Sequence, residues 1–190
     1  MTETTFFFLN NFRRKGELLE LAKTTEVSRS QGAVLTYLLL DETLDDDDVI
    51  ANVTELLLGG VDTTSNTLVW AIYNLAKNPE QLRRLAAEIE GVIGRHETPT
   101  VQSIHKMPFL KNCIKETLRM YPVVLWLGRT IEHEMELGGY LLPKDMLVVS
   151  NLYSMCMSEK QFEKPEEFRP DRWDRDAGKT FHPFSSLPFG

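Results

Sequence analysis

The sequence predicts a mainly helical chain that carries a small β-sheet, an α+β arrangement, and three observations lead there. A long periodic segment from Val49 to about Lys77 reads as one helix, and Asn78-Pro79-Glu80 stops it and starts the next, with Asn78 as cap and Pro79 at the first helical position. Leu110, Ile114 and Leu118 recur at i, i+4 and i+8 as an apolar stripe on a further helix. That helix ends at Pro122, which disfavours helix at Tyr121. Beyond Pro122 the pattern changes to strands: Thr130 to Leu137 and Gly139 to Leu142 as a hairpin turning at Gly138-Gly139, and Met146 to Ser150 as a third.

Taken in order, Glu17 to Lys23 forms a short amphipathic helix with Leu18, Leu19, Leu21 and Ala22 inward, Thr24 to Gln31 a polar loop, and Ala33 to Leu40 a short apolar helix. Asp45 to Asp48 place four acids where a helix begins, which suits its positive dipole end. Inside the long helix Gly59 and Gly60 each cost roughly 1 kcal/mol relative to Ala. Thr63, Thr64 and Ser65 can bond back to backbone carbonyls and bend the helix. Such a run has two readings, close helix packing or a groove where a ligand meets the backbone. Glu80 to about Gly94 is a second helix with Leu82, Leu85, Ile89, Val92 and Ile93 inward. Arg95 to Thr100 is a polar loop, Thr100 caps a short helix to Lys106, and Pro108 starts the next. Pro143-Lys144-Asp145 is a turn, Asn151 to Met155 a short helix, and Phe162 to Gly190 is rich in Pro and aromatics and poor in periodicity.

A length of 190 residues suits one domain with a real core, and 42% hydrophobic content argues against disorder. No apolar run reaches 18 residues, so no spanning helix is visible. The net charge of −7 argues against nucleic acid as a partner. Cys113 and Cys156 form neither a disulfide framework nor a metal spacing and read as buried free thiols. Phe6-Phe7-Phe8-Leu9 is too short for a signal-peptide core.

Glu116 and Arg119 sit at i, i+3 and can pair on one helix face; taken alone they read as a surface ion pair of little worth. Lys111 and Lys115 lie at i, i+4 on a neighbouring face and taken alone are ordinary solvated lysines.

Three segments change these readings when taken together: Leu58-Gly59-Gly60-Val61-Asp62-Thr63-Thr64-Ser65, the Glu116-x-x-Arg119 helix, and Phe168-Arg169-Pro170-Asp171-Arg172-Trp173. Their order and spacing resemble the C-terminal half of a cytochrome P450, over roughly Ala33 to Gly190. The resemblance is nearest to the mitochondrial sterol and vitamin D side-chain hydroxylases. It implies a haem-thiolate monooxygenase with heme b, O2 as cosubstrate, a lipophilic substrate and an acidic [2Fe-2S] ferredoxin as electron donor. Asp62 and Thr63 would be the catalytic acid–alcohol pair, Gly59 and Gly60 would line the oxygen groove, and Arg129 would hold a haem propionate. Arg172 would reach back to Glu116 and Arg119 to close an ionic network, with Asp171 standing where Glu is more usual. Lys111 and Lys115 would dock the ferredoxin, and Val123, Val124, Leu125 and Trp126 would face the substrate, with core packing as their other reading. Localisation would be mitochondrial and inner-membrane associated, membrane contact falling to the family's N-terminal half.

The family pattern Phe-x-x-Gly-x-Arg-x-Cys would begin at Phe189, so its iron-ligating cysteine would lie beyond Gly190. The expectation is therefore a single truncated domain over residues 1–190, inactive by itself, with residues 1–32 unassigned. Two further readings are a non-enzymatic helical binding module and a truncated gene product without a stable fold. Cooperative unfolding would separate those two.

Overall fold

The computed structural model describes residues 34, 37, 38, 41, 43–94, 97–174 and 181–188. The helix expected over residues 17–23, the loop over 24–31, most of 33–40, and Phe189 lie outside the described residues. The chain divides into two compact units, Met1–Asp62 and Thr63–Gly190.

Helix α1 spans Asp46–Lys77. It begins ahead of the expected Val49 because the acids cap it themselves. Asp45 Oδ1 accepts from the Asp48 backbone N–H at 2.8 Å, and Asp48 Oδ2 accepts in return from the Asp45 N–H at 3.3 Å. In the first unit Val49 and Val53 are buried, with Leu38, Leu44 and Leu57 packed against them. The backbone stays helical through Gly59-Gly60 and Thr63 to Ser65. The Thr67 hydroxyl donates to the Thr63 carbonyl at 3.0 Å, the expected kind of back-bond one turn further on.

In the second unit helix α2 spans Pro79–Ile93, α3 Val101–His105 and α4 Pro108–Met120. Asn78 holds the cap position of α2, but its side chain makes no cap bond there. Its amide donates instead to the Asn74 carbonyl at 2.8 Å and so closes the C-terminal end of α1. Thr100 and Ser103 form a reciprocal capping box on α3. The start of α4 is capped from another helix: the Glu88 carboxylate of α2 accepts the N–H groups of Phe109 and Leu110, each at 2.8 Å. Leu85, Phe109, Cys113, Met120 and Phe168 form the core between α2, α4 and the loop beyond, with Leu75, Ile89, Leu110 and Tyr121 at its margin. Trp70 stacks on Tyr121 at 4.0 Å between ring centroids.

The strands form two antiparallel pairs. Strand β1 is Trp126–Thr130, β2 Met135–Leu137, β3 Tyr140–Leu142 and β4 Leu147–Asn151. The β2–β3 hairpin turns at Gly138 and Gly139, both at positive φ (60° and 83°), a two-residue turn that favours glycine. The strand expected over Thr130 to Leu137 is not continuous. Thr130 pairs with Leu147 at the end of the β1–β4 ladder, and Ile131 continues that ladder through bonds to Met146 and Asp145. Only Met135 onward joins the hairpin. Trp126, which lies ahead of the expected strand, pairs with Asn151. Helix α5, Leu152–Cys156, follows at once, its first turn capped by Asn151 Oδ1 on the Ser154 N–H at 2.9 Å. The aromatic-rich tail has two 3-10 turns among the described residues, Pro170–Trp173 and Pro183–Ser185. No helix among the described residues is long and apolar enough to cross a membrane.

Candidate functional site

Helix α4 turns an unexpected face inward. Its apolar stripe is only partly the buried face: Leu118 is buried and Leu110 half-buried, but Ile114 is 45% exposed. Phe109, Asn112, Cys113, Glu116, Thr117, Arg119 and Met120 are buried beside Leu118. Glu116 and Arg119 are both 0% exposed, so the pair is no surface ion pair.

Two charges in a dry interior are tolerated only when every donor and acceptor is met. Here Glu116 Oε1 accepts from Arg119 Nη2 at 2.9 Å, Arg172 Nε at 2.8 Å and the Arg169 backbone N–H at 3.0 Å. Glu116 Oε2 accepts from Arg119 Nε and from the indole Nε1 of Trp173, both at 2.9 Å. The arginines spend most of their remaining donors on backbone, with one further contact from Arg119 Nη1 to the Met157 sulfur at 3.7 Å. Arg119 reaches the carbonyls of Cys156 and Pro165 at 2.9 and 2.7 Å. Arg172 reaches those of Glu163 and Lys164 at 2.9 and 3.1 Å. The Phe162 ring lies beneath both guanidiniums, at 5.1 and 6.0 Å. A carboxylate so surrounded has no lone pair to offer a proton in transit. The cluster is a clamp that fixes α4, α5 and residues 162–173 in one geometry.

A second set of contacts, absent from the sequence reading, holds the same turn from outside. Arg84 of α2 pairs with Asp171, lies 3.9 Å from Asp174 Oδ2, and covers the Phe109 ring at 4.0 Å. Asn112 donates to Asp174 Oδ1 at 2.5 Å. The pairing with Arg84 gives Asp171 a partner of its own. Burial pushes the Cys113 thiol up from 9.0 to about 12, with the Glu88 carboxylate adding and the Arg84 guanidinium opposing. Such a thiol is inert as a nucleophile or metal ligand near neutral pH.

The other predicted residues lie apart from this clamp. Lys115 is exposed, its ammonium 5.7 Å from the Trp173 ring centroid, and Lys111 Nζ lies 3.5 Å from His105 Nδ1. Arg129 lies on β1, where its Nη1 donates to the Gly128 carbonyl at 3.0 Å. Val123, Val124, Leu125 and Trp126 are exposed, Trp126 at 64%. Gly59, Gly60, Asp62 and Thr63 lie in the middle of α1, and a Cβ added at either glycine would meet nothing within 4 Å among the described residues. Among the described residues no cluster of His, Cys, Asp and Glu could hold a metal ion.

Residues 13–190 match the family described as Cytochrome P450. Over 175 residues the chain is 41% identical to cytochrome P450 27C1 of Danio rerio, covering 91% of this chain and 32% of that protein. It is 42% identical over 167 residues to the human mitochondrial 25-hydroxyvitamin D-1 alpha hydroxylase, covering 87% and 33%. Human mitochondrial sterol 26-hydroxylase is 42% identical over 160 residues, covering 82% and 30%. The chain spans about a third of the length of these relatives. A match that takes in all but the first twelve residues, with relatives above 40% identity, settles the membership: this chain belongs to the cytochrome P450 family.

Proposed function

We propose that this chain is part of a haem-thiolate monooxygenase of the mitochondrial sterol and vitamin D type, with residues 1–190 belonging to a single cytochrome P450 domain. The reaction inserts one oxygen atom from O2 into a C–H bond of a lipophilic substrate, with electrons from an acidic [2Fe-2S] ferredoxin at the mitochondrial inner membrane. The observation that carries this reading is the buried Glu116–Arg119–Arg172 clamp, in a chain whose relatives are named as sterol and vitamin D hydroxylases.

The residues present fit a haem in part. The exposed Arg129 guanidinium suits a propionate. Gly59 and Gly60 place no side chain of their own over the backbone of α1, as a small ligand against that helix requires. When bound, heme b supplies the oxygen activation, and the protein supplies binding, orientation and protons. In this reading the Asp62 carboxylate and Thr63 hydroxyl hold water and pass protons. Val123, Val124, Leu125 and Trp126 give the substrate an apolar surface. Lys111 and Lys115 meet the acidic donor and speed its encounter, an effect that salt weakens. The clamp acts on none of these directly; it holds α4, on which the lysines stand.

The test is product formation from sterol and vitamin D substrates by the haem-loaded full-length enzyme that contains this chain, with ferredoxin, its reductase and NADPH. Hydroxylated product is expected, falling by about 10²-fold or more in Asp62→Asn. Haem-loaded enzyme that turns over none of these substrates, or an Asp62→Asn variant with full activity, would refute the assignment.

A further inference from the structure

Trp173 stands between the buried clamp and the exposed lysine. On its inner edge the indole N–H donates to Glu116 Oε2 at 2.9 Å. On one face the Lys115 ammonium lies 5.7 Å from the ring centroid. Phe162 and Phe181 pack around the ring at 6.0 and 5.3 Å. The ring therefore cannot swing: its edge is tied to a carboxylate that two arginines already fix. Lysine side chains at a surface sample many rotamers, and each contact they make must first overcome that freedom. An ammonium resting on an aromatic face has fewer positions, yet keeps its outward N–H groups for an incoming acceptor.

We propose that Trp173 is a positioning residue that holds the Lys115 ammonium in place for a carboxylate on an acidic protein partner. The inference rests on the docking role given to Lys115 and adds the residue that organises it. It also gives the indole two functions, since the N–H serves the clamp and the face serves the partner.

Two measurements test it. In a 1H–13C spectrum of the enzyme, the ε-methylene protons of Lys115 should be displaced upfield by the indole ring current. Unshifted protons in the unsubstituted protein would overturn the proposal, and that result needs no variant to fold. Binding of a [2Fe-2S] ferredoxin at low salt should weaken about two- to five-fold in Trp173→Leu and stay within about two-fold in Trp173→Phe, which keeps a ring face. Trp173→Leu should add nothing in a Lys115→Ala background, whereas a purely structural role would weaken binding there as well. If Lys115→Ala weakens binding and Trp173→Leu does not, the positioning role alone fails. If Lys115→Ala has no effect, the docking role fails and takes this inference with it.

Discussion

Glu116→Gln changes almost no volume, so it isolates the electrostatics of the clamp. The amide must replace one carboxylate oxygen by an NH2 group. At the Oε1 position that NH2 would face Arg119 Nη2, Arg172 Nε and the Arg169 N–H; at Oε2 it would face Arg119 Nε and Trp173 Nε1. The milder choice still sets two donors against a donor, each unmet buried group costing about 1–3 kcal/mol. Both guanidiniums also lose their counter-charge while buried, the Arg119 side chain at 0% exposure and that of Arg172 at 7%. Breaking a buried pair from one side costs about 3–5 kcal/mol, and we expect a loss in that range. It is a large part of a total stability of about 5–15 kcal/mol. Urea unfolding followed by tryptophan fluorescence should show the midpoint falling by roughly 1–2 M at an unchanged slope. A loss under about 1 kcal/mol, the worth of an exposed pair, would refute the reasoning.

Two further outcomes follow from the same packing. Glu88→Ala removes the acceptor for two N–H groups at the start of α4 and should cost about 1–2 kcal/mol, with faster hydrogen exchange at Phe109 and Leu110 as the local readout. Cys113 gives an alkaline limb. Its thiol is neutral in both states well below pH 9, whereas between 9 and about 12 the unfolded chain gives up the proton and the folded chain does not. Stability should thus fall with rising pH across that window, by about 4 kcal/mol at most. Cys113→Ala should flatten the fall in unfolding titrations, and an unchanged limb would show that burial does not govern the thiol.

What was legible in the chain was local. The Thr100 cap, the stop at Asn78-Pro79 and the Gly138-Gly139 turn depend on neighbours within a few positions, and the residue types announce them. The i, i+3 spacing of Glu116 and Arg119 was equally visible, but their burial was not. Burial comes from partners 37 to 57 positions away, such as the Cys156 carbonyl and the Trp173 indole. The apolar stripe misled at Ile114 for a related reason. Periodicity weights hydrophobic residues, and this helix turns inward a face bearing Asn112, Glu116 and Arg119. The capping role of Glu88 was hidden, since nothing within α2 shows that another helix begins against it. The β1–β4 pairing was hidden because the hairpin lies between its strands and no breaker separates Thr130 from Met135.

Apart from a contact of Arg119 Nη1 with the Met157 thioether at 3.7 Å, the arginine bonds to residues 156–167 end on main-chain oxygens, those of Cys156, Glu163, Lys164, Pro165 and Glu167. Guanidinium forks thereby do for an irregular loop what a neighbouring strand does for an edge. An attachment of this kind is indifferent to side-chain identity. An exposed position such as Glu166 can drift in composition provided that the peptide path is kept. Arg119, Arg172 and Glu116 have no such latitude. Variation imposed on this region by random mutagenesis should therefore concentrate in the loop and avoid the three residues that grip it.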